Sequence, residues 1–292
     1  MVVVSAKGID RIVLGTVQLG LAYGRHASAG VPDREHCFRV LDAAWGHGIR
    51  SFDTAEAYGE AAVRLSEWIA SRGVAVSCHV VTKVSPSCAG DSDSVECAVG
   101  KFPRIASCTV MTHGAVDAAA FDSFRESAER TGALPGASVY GASEVVLMAG
   151  CGARRIQAPI NAFDTRQRDA AHRCGVPIDG RSVFLQGVLL EHPERAEARA
   201  PGTGRMVRAV DRASSVAGIP PAVALLGWVI HGLGPQDRVV VGVDRPEELD
   251  AIVSATSLDT STMRGFMDAL AADVSSWNVN EGALDPRTWR PR

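Results

Sequence analysis

The sequence predicts an α/β fold, a (β/α)8 TIM barrel with an extra C-terminal helix and tail, on three observations. Short apolar runs that close in polar or loop residues recur along the chain, as buried parallel strands do. Three of these runs end in Asp53, Lys83 and His113, each thirty residues after the one before. A strand with its return helix takes about thirty residues, so the three polar groups emerge at one end of a parallel barrel. Stretches with helical spacing lie between the runs, and eight such repeats favour closure over an open doubly wound sheet. The open sheet needs a Gly-x-Gly-x-x-Gly loop after an early strand. Gly15, Gly20 and Gly24 have neither that spacing nor a helical stripe behind them.

Taken in order, the strands fall at Ile12-Gly15, Ile49-Asp53, His79-Lys83, Thr109-His113, Ala137-Val139, Arg155-Pro159, Val176-Ser182 and Arg238-Val243. Pro32-Asp33 starts a helix over Arg34-His47, with Phe38, Val40, Leu41 and Ala44 on one stripe. A second helix covers Ala61-Arg72 and stops at Gly73, a residue that takes the left-handed conformation without strain. A third, Asp117-Thr131, stops at Gly132 in the same way. The segment His192-Gly204, rich in Glu, Arg, Ala, Pro and Gly, reads as a mobile surface loop. Two helices follow the last strand, over Pro246-Ser257 and Ser261-Trp277. The tail, about residues 278–292, has no period and is expected to fold over the barrel mouth. No linker splits the chain, so residues 1–292 read as one domain.

Composition narrows the function classes. The chain of 292 residues is 46% hydrophobic and 22% charged, with a net charge of -3. That balance gives no electrostatic reason to expect nucleic acid or an anionic membrane as partner. The most apolar stretch, Ala222-Ile230, is too short to span a bilayer, and no export signal opens the sequence. Seven cysteines without a Cys-x-x-Cys pair suit reduced thiols, most of them buried, in a cytoplasmic protein.

Tyr58 follows Asp53 on the loop after the second strand, in Asp-Thr-Ala-Glu-Ala-Tyr-Gly. A phenol is a poor acid near neutrality, with a pKa of about 10. Beside a lysine ammonium its pKa is expected to fall, and a carboxylate paired to the lysine holds that ammonium in place. A nearby histidine can orient a carbonyl. The set suits protonation of an alkoxide as hydride reaches the carbonyl carbon. Singly, each residue has an ordinary explanation: Asp53 a helix cap, Lys83 a solvated charge, His113 a satisfied histidine at a strand end. Equal spacing at one barrel end favours the functional reading. A His-x-His on an early strand for a metal-dependent hydrolase is absent, and Asp53 with Glu56 is too local a pair for a glycosidase.

The runs Leu14-Gly-Thr-Val-Gln-Leu-Gly20, Phe52-Asp-Thr-Ala-Glu-Ala-Tyr-Gly59, Val81-Thr-Lys83 and Thr112-His113 resemble the aldo-keto reductase superfamily. The resemblance continues through Ser138-Val-Tyr140, Ile156 to Asp164, Arg181 to Gly187 and Val239-Val-Val-Gly242. It implies a barrel that binds NADPH or NADH at its mouth and reduces a small carbonyl substrate. Tyr58 is then the proton donor, Lys83 and Asp53 tune it, and His113 orients the carbonyl. The implied cofactor residues are Gly15, Thr16, Ser138, Gln157, Arg181, Ser182, Gly242 and Arg245, with Asn161 a candidate in the wall.

The departures gather at the cofactor. Arg181 stands where the family commonly stacks a tyrosine on the nicotinamide, and a Ser-Asn pair reads Ser138-Val139. Asp244, Glu247 and Glu248 oppose a 2'-phosphate, with Arg245 the one compensation, and a Glu-Asn pair reads Ala251-Ile252. A second reading therefore keeps the barrel and its polar set without redox cofactor, for acid-base chemistry such as dehydration or epimerisation, or for a binding or regulatory role.

Overall fold

The computed structural model describes residues 8–23, 30–274 and 281–289. Eight parallel strands close into a barrel in the order β1 to β8. They are β1 (Ile12–Gly15), β2 (Ser51–Asp53), β3 (His79–Val84), β4 (Ser107–Thr112), β5 (Leu134–Ser138), β6 (Arg155–Pro159), β7 (Ile178–Arg181) and β8 (Arg238–Gly242). β1 pairs with both β2 and β8, setting Gly15 beside Asp53 on one side and Gly242 on the other. Every strand lies within a few residues of its apolar run, because burial on both faces leaves that run as the plainest local signal.

Helices return the chain between strands. The return helices are α1 (Arg34–Gly46), α2 (Ala61–Arg72), α3 (Ser92–Gly100), α4 (Ala118–Arg130), α5 (Ala142–Gly150) and α6 (Arg166–Arg173). Asp33 caps α1 and Asp117 caps α4, each carboxylate accepting a first-turn backbone N–H at 2.7 and 2.8 Å. Gly73 ends α2 at φ 65°. The apolar stripes predicted from spacing, such as Phe38, Val40, Leu41 and Ala44 on α1, are buried against the barrel.

Two expectations need correction. His192-Gly204 is no loop: Pro193 opens α7 (Pro193–Arg199), and α8 (Thr203–Ala217) begins within the same segment, with Ala196, Ala200 and Thr203 buried. The segment's prolines and glycines sit at helix ends, where they start and stop helices instead of preventing them. The apolar run around Ala222 lies in α9 (Pro221–His231), a buried core helix. Among the described residues no single helix is long and apolar enough to cross a membrane. Three cysteines, Cys37, Cys78 and Cys108, are buried, while Cys97 and Cys174 are exposed.

After β8 come α10 (Leu249–Thr256) and α11 (Thr260–Val274), and the extension of the latter to Trp277 lies outside the described residues. The tail does carry local structure, a helical turn α12 (Glu281–Leu284) and a 3-10 turn at Pro286–Thr288. It packs against the loops beyond β5 and β7: the Arg287 guanidinium lies 4.0 Å from the Tyr140 ring, and Arg199 lies 5.2 Å from Trp289. Residues 278–280 and 290–292 lie outside the described residues.

Candidate active site

Strand direction brings the polar set together. Asp53 closes β2, Lys83 lies near the end of β3, and His113 follows β4 directly, its backbone N–H donating to the Val84 carbonyl at 2.8 Å. Lys83 is fully buried and donates to both Asp53 oxygens, at 2.6 and 2.7 Å, and to the Thr54 carbonyl at 3.0 Å. Its Nζ stands 5.0 Å from the Tyr58 ring centre. The Tyr58 and His113 rings meet edge to face at 5.8 Å. The four residues form one cluster.

Two glycines hold the Tyr58 loop against the β1 loop. A Cβ on Gly20 would fall 2.0 Å from the Tyr58 carbonyl oxygen and 2.4 Å from the Ala61 nitrogen. Gly59, at φ 57°, leaves only 2.4 Å for a Cβ from the Gly20 oxygen. Backbone meets backbone here, and only hydrogen fits between.

The electrostatics differ in one respect from the sequence expectation. Burial pushes the Tyr58 hydroxyl above its ordinary value, and the opposing pull of Lys83 does not overcome it. The phenol therefore stays protonated through neutral pH, as a proton donor must. Burial also works against the Lys83 ammonium, yet the Asp53 carboxylate beside it raises its pKa overall. His113 is pushed down to about 4 by burial, with Lys83 and Arg181 adding to the effect, so its ring is neutral at pH 7.

These groups face a cavity of about 490 Å³. The cavity runs from Tyr58 and His113 past Gln157, Arg181 and Ser182, between Gly15 and Gly242, to Asp244, Glu248, Ala251 and Ile252. All three tyrosines of the chain, Tyr23, Tyr58 and Tyr140, line it. Sequence reasoning gave no role to Tyr23, Tyr140 or Gln18. The concentration of every tyrosine at one cavity becomes visible only when loops from β1, β2 and β5 converge.

Several expected cofactor residues do other work. Thr16 is buried and donates to the Asp53 carbonyl at 2.9 Å, so it positions Asp53 and stays out of the cavity wall. Ser138 lies behind Gln157, donating to its amide oxygen at 3.2 Å, while the Gln157 nitrogen donates to Asp53 at 2.7 Å. Asn161 also stays out of the wall and closes a tight turn, its side-chain oxygen accepting from Phe163 at 2.9 Å. Arg245 is exposed and outside the wall. The Glu248 carboxylate accepts from the backbone N–H groups of Asp244 at 2.7 Å and Arg245 at 3.4 Å, closing the β8 loop on itself. Gly15, Gln157, Arg181, Ser182 and Gly242 do line the cavity.

The model of the Aldo/keto reductase family matches residues 11–107, a span that holds Asp53, Tyr58 and Lys83. Over that third of the chain the sequence is similar to the aldo-keto reductase family. Solved aldo-keto reductases share its fold. A glycerol dehydrogenase from Gluconobacter oxydans is 19% identical with a TM-score of 0.70, covering 90% of this chain and 92% of its own. A thermostable aldo-keto reductase solved with the inhibitor epalrestat is 18% identical at 0.66, covering 89% and 94%. An aldose reductase from Giardia lamblia is 12% identical at 0.65, covering 89% and 91%. No curated protein matches the sequence.

Proposed function

We propose that this chain is an aldo-keto reductase that reduces a small carbonyl compound with a nicotinamide cofactor, and that the cofactor is NADH in preference to NADPH. One observation carries the reading: a protonated, half-buried phenol lies beside a lysine–aspartate pair and a neutral imidazole on one cavity. When bound, reduced nicotinamide supplies hydride to the carbonyl carbon. Tyr58 passes its hydroxyl proton to the carbonyl oxygen, and Lys83 stabilises the phenolate left behind. Neutral His113 presents a ring N–H to the same oxygen and orients it. Asp53, bonded to Lys83 and Gln157, fixes the ammonium.

The cavity suits a dinucleotide. Gly15 and Gly242 keep side chains out of its floor; a Cβ on Gly242 would fall 2.3 Å from the Gln18 amide oxygen. That oxygen is buried without a protein partner, an acceptor fit for a ligand hydroxyl or amide. Gln18, Gln157, Ser182 and Gly242 are the residues that would hold the cofactor. A 2'-phosphate fits less well, because Asp244 and Glu248 line that end and Glu248 already takes the local backbone donors. The cytoplasm and a small-molecule partner complete this reading.

A non-redox reading has one observation in its favour. Ser138 and Gln157, which the resemblance assigns to the nicotinamide carboxamide, are bonded to each other, and Gln157 is bonded to Asp53. Titration with NADH and NADPH, followed by tryptophan fluorescence, separates the two. Saturation with NADH at lower concentration than with NADPH supports the reductase. No saturable change at millimolar cofactor leaves acid-base chemistry on the same four residues.

A further inference from the structure

We propose that Arg181 receives an oxyanion, a carboxylate or phosphate, carried by the carbonyl substrate. The inference rests on the reductase reading of the cavity and names its substrate class.

Arg181 ends β7 and lines the cavity with Tyr58 and His113. Its charge reaches both, helping to lower the His113 pKa and opposing the upward push on Tyr58. Four other arginines near the barrel are paired with carboxylates. Arg155 and Arg238 hold Asp179, Arg199 holds Glu191, and Arg166 holds Asp164. Asp285 also senses Arg181, but Arg287 binds it through both oxygens at 2.8 to 3.2 Å. Arg181 forms no ion pair with a carboxylate among the described residues. It donates to the Val139 carbonyl at 3.0 Å and the Ser182 hydroxyl at 3.3 Å. A guanidinium has five N–H donors, so most of the fork remains for a ligand.

The guanidinium is also held still. It stacks 4.2 Å from the Tyr140 ring, which carries Arg287 as well. The chain beyond it takes left-handed backbone at three non-glycine residues, Ser182 at φ 62°, Leu185 at 45° and Gln186 at 52°. Such backbone is costly and persists where surrounding structure enforces it, often at ligand sites. A fixed planar fork binds a planar oxyanion with little further loss of freedom.

The charges at the reacting end leave one cation over. Lys83 and Asp53 cancel, while Tyr58 and His113 are neutral. Asp244 and Glu248 belong to the segment after β8. A substrate with a carbonyl beside Tyr58 and an anion on Arg181 completes this arrangement, and a neutral carbonyl compound does not.

The test compares matched substrates with the full chain and NADH: succinic semialdehyde against butanal, and glyceraldehyde 3-phosphate against glyceraldehyde. Calorimetric binding of succinate and of inorganic phosphate runs beside it. A charge-assisted pair predicts that the anionic member of one pair leads in kcat/KM by about 10- to 100-fold. Arg181→Met removes that lead, chiefly through KM, and Arg181→Lys keeps part of it by keeping the charge without the fork. The pair that responds identifies carboxylate or phosphate. Equal use of charged and neutral members by the unmodified enzyme overturns the inference and leaves the reductase intact. A lead that survives Arg181→Met overturns it too. If no aldehyde is turned over, the reductase reading fails, and the calorimetry decides: binding of succinate or phosphate that needs Arg181 supports the anion site, and no binding overturns it. Should Arg181→Met not fold, Arg181→Lys and Arg181→Gln carry the same comparison.

Discussion

Two buried carboxylates share the barrel interior and meet opposite surroundings. Asp179 on β7 is fully buried and gripped from two strands: Arg238 binds both its oxygens at 2.7 and 2.9 Å, and Arg155 adds a contact at 2.8 Å. Asp53 on β2 is held by one ammonium and one amide. The sets sit one pleat apart. Arg155 and Gln157 are alternate residues of β6, and Asp179 and Arg181 are alternate residues of β7, so each strand sends one side chain to each set. The set nearer the amino ends of the strands closes on itself. At the carboxyl end, Lys83 lies 5.0 Å from the Tyr58 ring centre, and Arg181 pairs with no carboxylate among the described residues. The first set is a plug; the second opens on the cavity.

The sharpest way to break this contrast is to cut each set once. Tyr58→Phe removes the acid and keeps the ring, so turnover falls about 10²- to 10⁴-fold with the melting temperature almost unchanged. Full activity in that variant places the proton donor elsewhere. Asp179→Asn should do the reverse. It leaves Arg155 and Arg238 without their shared counter-charge, costing about 3–5 kcal/mol of stability in urea melts. Activity of the folded fraction stays near normal. A stable Asp179→Asn protein, or a Tyr58→Phe protein that melts early, erases the distinction between plug and site.

What the sequence revealed follows from the same contrast. Strands buried on both faces announce themselves as apolar runs, and the residue closing each run faces the mouth, so Asp53, Lys83 and His113 were legible. The plug was not. Arg155, Asp179 and Arg238 lie on three strands and meet only through barrel closure, and no local pattern marks them as partners. Tyr23 and Tyr140 were invisible as site residues for a like reason, since loops carry no period. The direction of the Tyr58 pKa was missed because Lys83 can be read from spacing while desolvation cannot. Glu248 could be read as a charge opposed to phosphate, but its fold back onto the backbone of Asp244 and Arg245 could not.

A smaller effect sharpens how the site is aimed. Gly20→Ala places a methyl 2.0 Å from the Tyr58 carbonyl oxygen, and backbone has to move. Overpacking of that kind costs about 1–3 kcal/mol, and a shift of about 1 Å at a reacting group costs about 10²-fold in rate. Activity should therefore fall further than stability alone explains, measured as kcat at a temperature where the variant remains folded. Gly218→Ala, on a helix end far from the mouth, serves as the contrast: its φ of 67° strains any side chain, but no atom lies within 4 Å of the added carbon. That variant should lose stability and keep its rate.

The smallest expected effect concerns pH, and it divides the two ends by range. His113 titrates near 6.5 when unfolded and near 4 in the fold. Between those values the unfolded chain binds the extra proton, so His113 subtracts stability as pH falls from about 6.5 to about 4. Asp179 behaves differently: burial alone would raise its pKa, but Arg238 and Arg155 hold it below the usual carboxylate range. Its contribution is present above the unfolded value of about 3.9 and is lost only as pH falls further, through the folded value. Melting curves of the unmodified protein and His113→Gln should therefore converge between pH 6.5 and 4, with Asp179 common to both. Turnover at saturating cofactor should show no limb near 6.5, because the imidazole is already neutral there. Parallel melting curves with a rate limb near 6.5 would mean that His113 sits in water, and the site would then be as open at His113 as it is at Arg181.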